Sequence, residues 1–199
     1  HDLMKQFKGQ KDLEKDIELL NSQVERCNEI LKRLTLNPVE EDEFIDKDIN
    51  IRDYLHEIIS SFKEISKKEF VFNFDQDSNS KKITKSIELV YGLRNFIGNA
   101  NKFAKNTIFI NLKSDSEITE ITVEDDGDGY PRDIISKIGE PYLKSNYSKD
   151  KSKEGLGLGL FIGKTLLEKN FASVNCRNSK TRNGAEVVIR WKNKELFNI

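Results

Sequence analysis

Asn95-Phe96-Ile97-Gly98-Asn99-Ala100-Asn101-Lys102-Phe103 is the stretch on which the reading of this chain turns. Ile87, Val90, Leu93 or Arg94, and Ile97 keep a helical period through it, so a long helix is expected over Ile83 to Ala104. On that helix Asn95 and Asn99 stand at i and i+4 and share a face, with Lys102 three residues further on. Two glycine clusters follow: Asp125-Asp126-Gly127-Asp128-Gly129, then Gly155-Leu156-Gly157-Leu158-Gly159-Leu160. Each is weak alone. Two asparagines four apart can be a polar helix face, the first cluster an ordinary turn, and the second a flexible loop. What gives them weight is their order and their spacing of about 25 to 30 residues.

The residue types suit one chemistry. An amide oxygen is a neutral, hard ligand of the kind that Mg²⁺ accepts while keeping waters and binding substrate phosphates. Lys102 can meet a phosphate as a point charge. The Asp125 carboxylate can only accept hydrogen bonds, so it can read an exocyclic amine such as that of adenine. Gly127 and Gly129 allow a sharp turn and a close backbone approach. Gly155, Gly157 and Gly159 precede an apolar helical run from Leu160 to Leu167. A glycine-rich loop that opens a helix offers free N–H groups and a positive dipole end to phosphate. There is no G-x-x-x-x-G-K-[ST], and the second glycine cluster does not follow a strand in a βαβ unit. Both the P-loop and the Rossmann readings therefore fail.

In this order the three stretches resemble the N, G1 and G2 boxes of the GHKL ATP-binding fold, and most of all the catalytic domain of bacterial sensor histidine kinases. Ile138-Gly139-Glu140-Pro141-Tyr142 resembles the F box, with Tyr142 where phenylalanine is common. The resemblance implies ATP and Mg²⁺ as cofactors. It implies Asn99 as the main Mg²⁺ ligand with Asn95 assisting, and Lys102 on phosphate. Phe103, Asp125, Gly127, Gly129 and Tyr142 would belong to the nucleotide pocket. Gly155, Leu156, Gly157, Leu158 and Gly159 would hold the phosphates under a lid spanning Pro131 to Lys153. ATP-hydrolysing relatives of this fold carry a water-activating glutamate four residues before the metal-binding asparagine. Asn95 occupies that position here, which implies phosphoryl transfer instead of hydrolysis.

The chain has 199 residues, 36% hydrophobic and 34% charged, with net charge −1. That suits one modest core plus a solvated helical part, and nothing in the balance suggests nucleic-acid binding. Cys27 and Cys176 make no disulfide framework and suggest a reducing compartment. No apolar run approaches the roughly 18 residues of a membrane span. Along the chain, Leu13, Ile17, Leu20, Val24, Cys27, Leu31 and Leu34 alternate spacings of 4 and 3, an a/d heptad seam. With Leu3 and Phe7 before a turn at Gly9, this reads as a helical hairpin. Two copies would form a four-helix bundle in a homodimer; the alternative is a helix packed on its own domain. Asn37-Pro38 ends the helix. Val39 to Asp48, with six acidic residues, reads as a linker. The expected organisation is therefore 1–38 partial dimerisation hairpin, 39–48 linker and 49–199 catalytic domain. Within the last, helices are expected at Ile51 to Ser66 and Ile83 to Ala104, and after the second glycine cluster. Strands are expected at Glu69 to Phe74, Thr107 to Leu112, Ile118 to Glu124, Ser173 to Arg177 and Glu186 to Trp191. Asp75 to Lys82 is a polar loop, and Arg182-Asn183-Gly184 a turn signal. The fold class is α+β, a two-layer α/β sandwich preceded by the hairpin.

A sensor kinase phosphorylates a histidine that is followed by an acidic residue and then proline. His1-Asp2 begins in this way, but Leu3 to Gln6 supply no proline. The resemblance thus implies an acceptor histidine upstream, in a longer cytoplasmic portion of an inner-membrane sensor, and a response regulator as the next phosphoryl acceptor. His56 reads as a surface histidine. Ser22-Gln23-Val24-Glu25-Arg26-Cys27, with Gly139 to Tyr142 and Gly157 to Ile162, looks like the RegB/PrrB group of redox-responsive kinases. In that group a cysteine on the second hairpin helix is implicated in redox control, and Cys27 matches it; its place on the heptad seam explains it equally as a small apolar residue. Two rival functions remain: a serine kinase of the anti-sigma type on the same fold, and a dimeric scaffold that binds ATP without transferring phosphate.

Overall fold

A computed structural model of the chain describes residues 48–75, 82–84, 86–141, 143 and 158–196. The expected hairpin, with Cys27, lies outside them, as do Tyr142, Gly155, Leu156 and Gly157.

Five strands form one sheet in the order β2-β4-β5-β7-β6. They are β2 Glu69–Phe74, β4 Thr107–Ser114, β5 Ile118–Asp125, β6 Ser173–Asn178 and β7 Ala185–Lys192. β2 runs parallel to β4, and the other pairings are antiparallel. A separate antiparallel pair joins β1 Asp48–Asn50 to β3 Lys82–Thr84, with Ile49 opposite Ile83. Three helices form the second layer: α1 Ile51–Lys63, α2 Ile87–Phe103 and α3 Gly159–Lys169. A short helix α4, Asn193–Leu196, closes the described part. This is the expected two-layer α/β sandwich.

The alternation of each strand dictates the layering, because every second side chain faces the helices. The register sets Ile110 beside Val123 and Leu112 beside Ile121, and Val123 beside Val187 and Ile121 beside Ile189. All of these are buried, as are Leu93, Phe96, Ile97 and Ala100 of α2 and Tyr54, Leu55, Ile58 and Ile59 of α1. Trp191 is fully enclosed and its Nε1 donates to the Asn170 carbonyl at 3.0 Å, which ties β7 to the end of α3. Phe70, Phe72 and Phe74 share a face as expected, but burial fades outward, and Phe74 is 39% exposed beneath the Arg52 guanidinium, 3.8 Å from its ring centroid.

α2 and α3 cross at glycines. A Cβ on Gly92 would lie 2.6 Å from Leu167, and one on Gly163 would lie 3.0 Å from both the Asn95 Cβ and the Phe96 ring. Each glycine leaves room for a side chain of the other helix, Leu167 against Gly92 and Asn95 and Phe96 against Gly163.

Strand ends move by one or two residues, and the larger departures from expectation lie at the helix starts and ends and at β1 and β3. Ile83 pairs in β3, and α2 starts only at Ile87, because the Ser86 hydroxyl accepts the Leu89 N–H at 3.1 Å and caps the helix there. The expected linker and the loop at Asp75 to Lys82 each give up a terminal residue: Asp48 and Lys82 are strand residues. α1 stops at Lys63, and the chain turns through backbone bonds from Ile65 and Ser66 to the Phe62 carbonyl.

Candidate nucleotide site

Asp125 ends β5 on its inward face, continuing the row of Ile121 and Val123. A carboxylate thus occupies a position where an aliphatic side chain would pack, and it is 3% exposed. Its Oδ1 accepts two backbone N–H groups, from Gly127 at 2.8 Å and from Ala185 at 3.2 Å. Burial pushes its pKa above the ordinary carboxylate value, and those two hydrogen bonds oppose the shift. Gly127 and Gly184 make the approach possible. A Cβ on Gly127 would lie 2.5 Å from the Phe103 carbonyl oxygen, and one on Gly184 would lie 1.8 Å from the Asp125 carbonyl oxygen.

The loop from Asp125 is fixed at both ends. Asp126 Oδ1 accepts the N–H groups of Lys105 at 2.7 Å and Asn106 at 3.0 Å, just past the end of α2. Burial works against the Asp126 charge, but the backbone donors from Asn106, Thr107 and Lys105 outweigh it and hold its pKa low. Lys105 also pairs with Asp128 at 2.6 Å in the open. Gly129 has φ +75°, and a Cβ there would lie 2.7 Å from Asn178 Oδ1.

α2 brings Asn95, Asn99 and Lys102 to the same end of the molecule. Asn95 Nδ2 donates to the Tyr91 carbonyl at 2.8 Å. Asn99 Nδ2 is buried with no hydrogen-bond partner among the described residues. The first residue of α3, Gly159, stands against both: its Cβ position is 3.3 Å from Asn99 Nδ2 and 3.5 Å from Asn95 Oδ1. Among the described residues no side chain caps α3, and its first N–H groups lie beside the asparagines. Leu158, just before it, is buried. Phe103 is 46% exposed, with Lys102 Nζ 5.5 Å from its ring centroid. Gly139 of the expected F box has φ +102° and lies against Lys164 of α3. The structure therefore brings Asn95, Asn99, Lys102, Phe103, Asp125, Gly127, Gly129, Leu158 and Gly159 into one region.

Several contributors have no mark in the sequence pattern. Lys68 Nζ donates to the carbonyls of Asn101 and of Ala104, the latter at 2.6 Å, a cation on the last turn of α2. Glu124, buried, receives Arg182 Nε at 3.0 Å and the Ser179 hydroxyl, and the Arg182 guanidinium stacks 3.5 Å over Phe109. These contacts hold the β6–β7 turn, and with it Gly184 and Ala185, against Asp125. Ala185 acts through its N–H, so no side-chain signal marks it.

A two-layer sandwich with a buried aspartate at a strand end, a glycine turn beside it and an asparagine-bearing helix opposite is the architecture of the GHKL ATP-binding domains. Residues 84–195 match the family described as histidine kinase-, DNA gyrase B- and HSP90-like ATPase, and the chain belongs to it. Over 186 residues it is 31% identical to the sensor histidine kinase RegB of Cereibacter sphaeroides, across 89% of this chain and 40% of RegB. The chain thus spans about 40% of the length of that curated relative. Among solved structures the fold is similar to the mycobacterial sensor histidine kinase MprB, with TM-score 0.61, 16% identity, and coverage of 73% of this chain and 97% of that one. It is similar also to full-length ShkA in complex with AMPPNP, with TM-score 0.58, 21% identity, and coverage of 72% and 30%.

Proposed function

We propose that this chain binds Mg-ATP and is the catalytic portion of a two-component sensor histidine kinase of the RegB kind. It transfers the γ-phosphoryl group to a histidine of the dimerisation hairpin, from which it passes to a response-regulator aspartate. In this reading residues 1–38 contribute to a homodimeric hairpin bundle, 39–48 link, and 49–199 catalyse, on the cytoplasmic side of a membrane-anchored sensor. Among the described residues no helix is long and apolar enough to cross a membrane.

The observation that carries the reading is a pair of buried polar groups, one on β5 and one on α2. One is a buried Asp125 whose Oδ1 is committed to backbone donors; the other is a buried Asn99 amide left without a partner among the described residues. Asp125 Oδ2 then accepts the adenine amine, and Gly127 and Gly129 let the base approach the backbone. The donor set fits magnesium: the amide oxygens of Asn95 and Asn99 are neutral, hard ligands that would hold it together with the nucleotide's own oxygens. Bound Mg²⁺ neutralises phosphate charge as the phosphoryl group moves. Lys102 adds a cation at the same end, and the N-terminus of α3 supplies N–H groups to phosphate. Gly155, Leu156, Gly157 and Tyr142 complete this set by resemblance. Asn95, where a glutamate would activate water, holds its amide on the Tyr91 carbonyl and offers no base, which favours transfer over hydrolysis. Cys27 is proposed as the redox-responsive thiol.

The test mixes the chain with labelled ATP, Mg²⁺ and a separate dimerisation hairpin bearing the histidine. Acid-labile, base-stable label on that histidine is expected. Acid-stable label on serine would favour the anti-sigma kinase. ATP binding with no transfer to a competent acceptor would favour the scaffold.

A further inference from the structure

We infer that Asn178, on the edge strand β6, is a positioning residue for the nucleotide base, acting through the backbone of Tyr130; this rests on the ATP-binding reading above. Asn178 Oδ1 accepts the Tyr130 N–H at 2.6 Å, and Asn178 Nδ2 donates to the Tyr130 carbonyl at 3.0 Å. One side chain thus pairs with both polar groups of a residue 48 positions away, as a neighbouring strand would. Its Oδ1 also occupies the space a side chain at position 129 would need, 2.7 Å from the Gly129 Cβ position. Two residues earlier, on the same face of β6, Cys176 packs with Tyr130 against the core. β6 therefore holds Tyr130 by its backbone beside a shared packed face.

The register gives this grip its meaning. Asn178 lies opposite Ala185 of β7, and Ala185 donates to Asp125 Oδ1. One rung of the β6–β7 hairpin thus holds both ends of the segment from Asp125 to Tyr130. Ala185 fixes the carboxylate that would read the base, and Asn178 fixes the exit of the glycine turn against which the base would lie. Neither group reaches the asparagines of α2, so the device acts on the base end of the site alone.

The experiment compares the wild type with Asn178→Ala and Asn178→Asp. The first removes both hydrogen bonds. The second keeps an acceptor for the Tyr130 N–H but sets a carboxylate against the Tyr130 carbonyl. Both variants are expected to weaken ATP and ADP binding by the same factor, about 5- to 30-fold for one or two neutral hydrogen bonds. KM for ATP rises, kcat for transfer stays within about twofold, and the Mg²⁺ concentration dependence stays unchanged. Hydrogen exchange at the Tyr130 amide is expected to accelerate in Asn178→Ala, which reads the grip without any nucleotide. Unchanged ATP affinity in folded variants, or unchanged Tyr130 exchange, would overturn the inference. So would a loss that falls on kcat and the Mg²⁺ dependence instead of KM. A wild-type chain that binds no ATP would sink the functional reading, while the amide exchange would still report on the grip.

Discussion

Replacing Gly184 by alanine tests how the Asp125 carboxylate is held. The new Cβ would sit 1.8 Å from the Asp125 carbonyl oxygen, 2.5 Å from its carbon and 2.6 Å from its Oδ1. Two of the three are backbone atoms, so no rotamer change relieves the contact. Bringing 1.8 Å out to the 3.0 Å below which real Cβ contacts essentially never fall moves the β6–β7 turn away from β5 by about 1.2 Å. That movement carries Ala185 N–H, now 3.2 Å from Oδ1, out of hydrogen-bond range. Overpacking costs about 1–3 kcal/mol, and a hydrogen bond to a charged group contributes about 1.5–3 kcal/mol. The variant should lose about 3 kcal/mol, a fall of roughly 6–12 °C in Tm for a domain of this size. Nucleotide affinity should fall at least about tenfold as the carboxylate loses its orientation. Circular-dichroism melts and equilibrium titration with a fluorescent ATP analogue measure the two effects. The control is Gly98→Ala, whose Cβ meets only Phe62 ring carbons at 3.6 and 3.7 Å. It removes a helix-interior glycine and should raise stability by about 0.5–1 kcal/mol. A Gly184→Ala protein that melts and binds like the wild type would refute the account of how Asp125 is fixed.

Asn99→Ala deletes a buried amide nitrogen that has no partner among the described residues, so thermal stability should stay level or rise by up to about 1 kcal/mol while Mg²⁺-dependent ATP binding is lost; a clear drop in Tm with binding intact would contradict this. The Asp125 carboxyl is held above its ordinary 3.8 by burial, and the ionised form is the stronger acceptor of an amine proton, so affinity should fall on acidification with a midpoint above 3.8. A group with a raised folded-state pKa contributes stability on the acid side that is lost as pH rises through that value, so this loss of binding is not acid unfolding at Asp125. Asp125→Asn should abolish the inflection, as titrations from pH 7 downward would report. The Cys176 thiol is pushed up to about 11, chiefly by burial. Its alkylation by iodoacetamide at pH 7.5 should therefore be far slower than that of a free thiol; rapid labelling of the Cys176 peptide by mass spectrometry would count against the burial described.

The parts of the fold written in local pattern were legible. Phe70, Phe72 and Phe74 announced β2 by alternation, and Val90, Leu93 and Ile97, all buried, announced the core face of α2 by their period. The start of α2 was misplaced because Ile83 to Ile87 is a spacing of four that fits a helix as well as it fits two separate elements; the Ser86 cap decided the matter. β1 hid inside an acidic run because its partner, β3, lies more than thirty residues on, and no local signal marks such a pairing. The site divides in the same way. Asn95, Asn99, Asp125 and the glycines were visible because their side chains, or their lack of one, are the signal. Lys68, Asn178, Glu124, Arg182 and Ala185 were not, because each acts across 36 to 60 positions on backbone or on a charge. A lysine that caps a distant helix looks like any surface lysine until the chain is folded.

The glycine crossing of α2 and α3 bears on how this domain would tolerate change. Where two helices are kept apart by side chains, their spacing follows the volumes of those side chains, and every core substitution moves it a little. Here the spacing is set by two glycines: a Cβ at Gly92 would press on Leu167, and one at Gly163 on Asn95 and Phe96. Neither position has a smaller variant, and any larger one forces the helices apart. Because Gly163 stands against Asn95 itself, such a separation would also shift the α2 asparagines relative to Gly159, so these two glycines tie the packing of the layer to the geometry of the asparagine face.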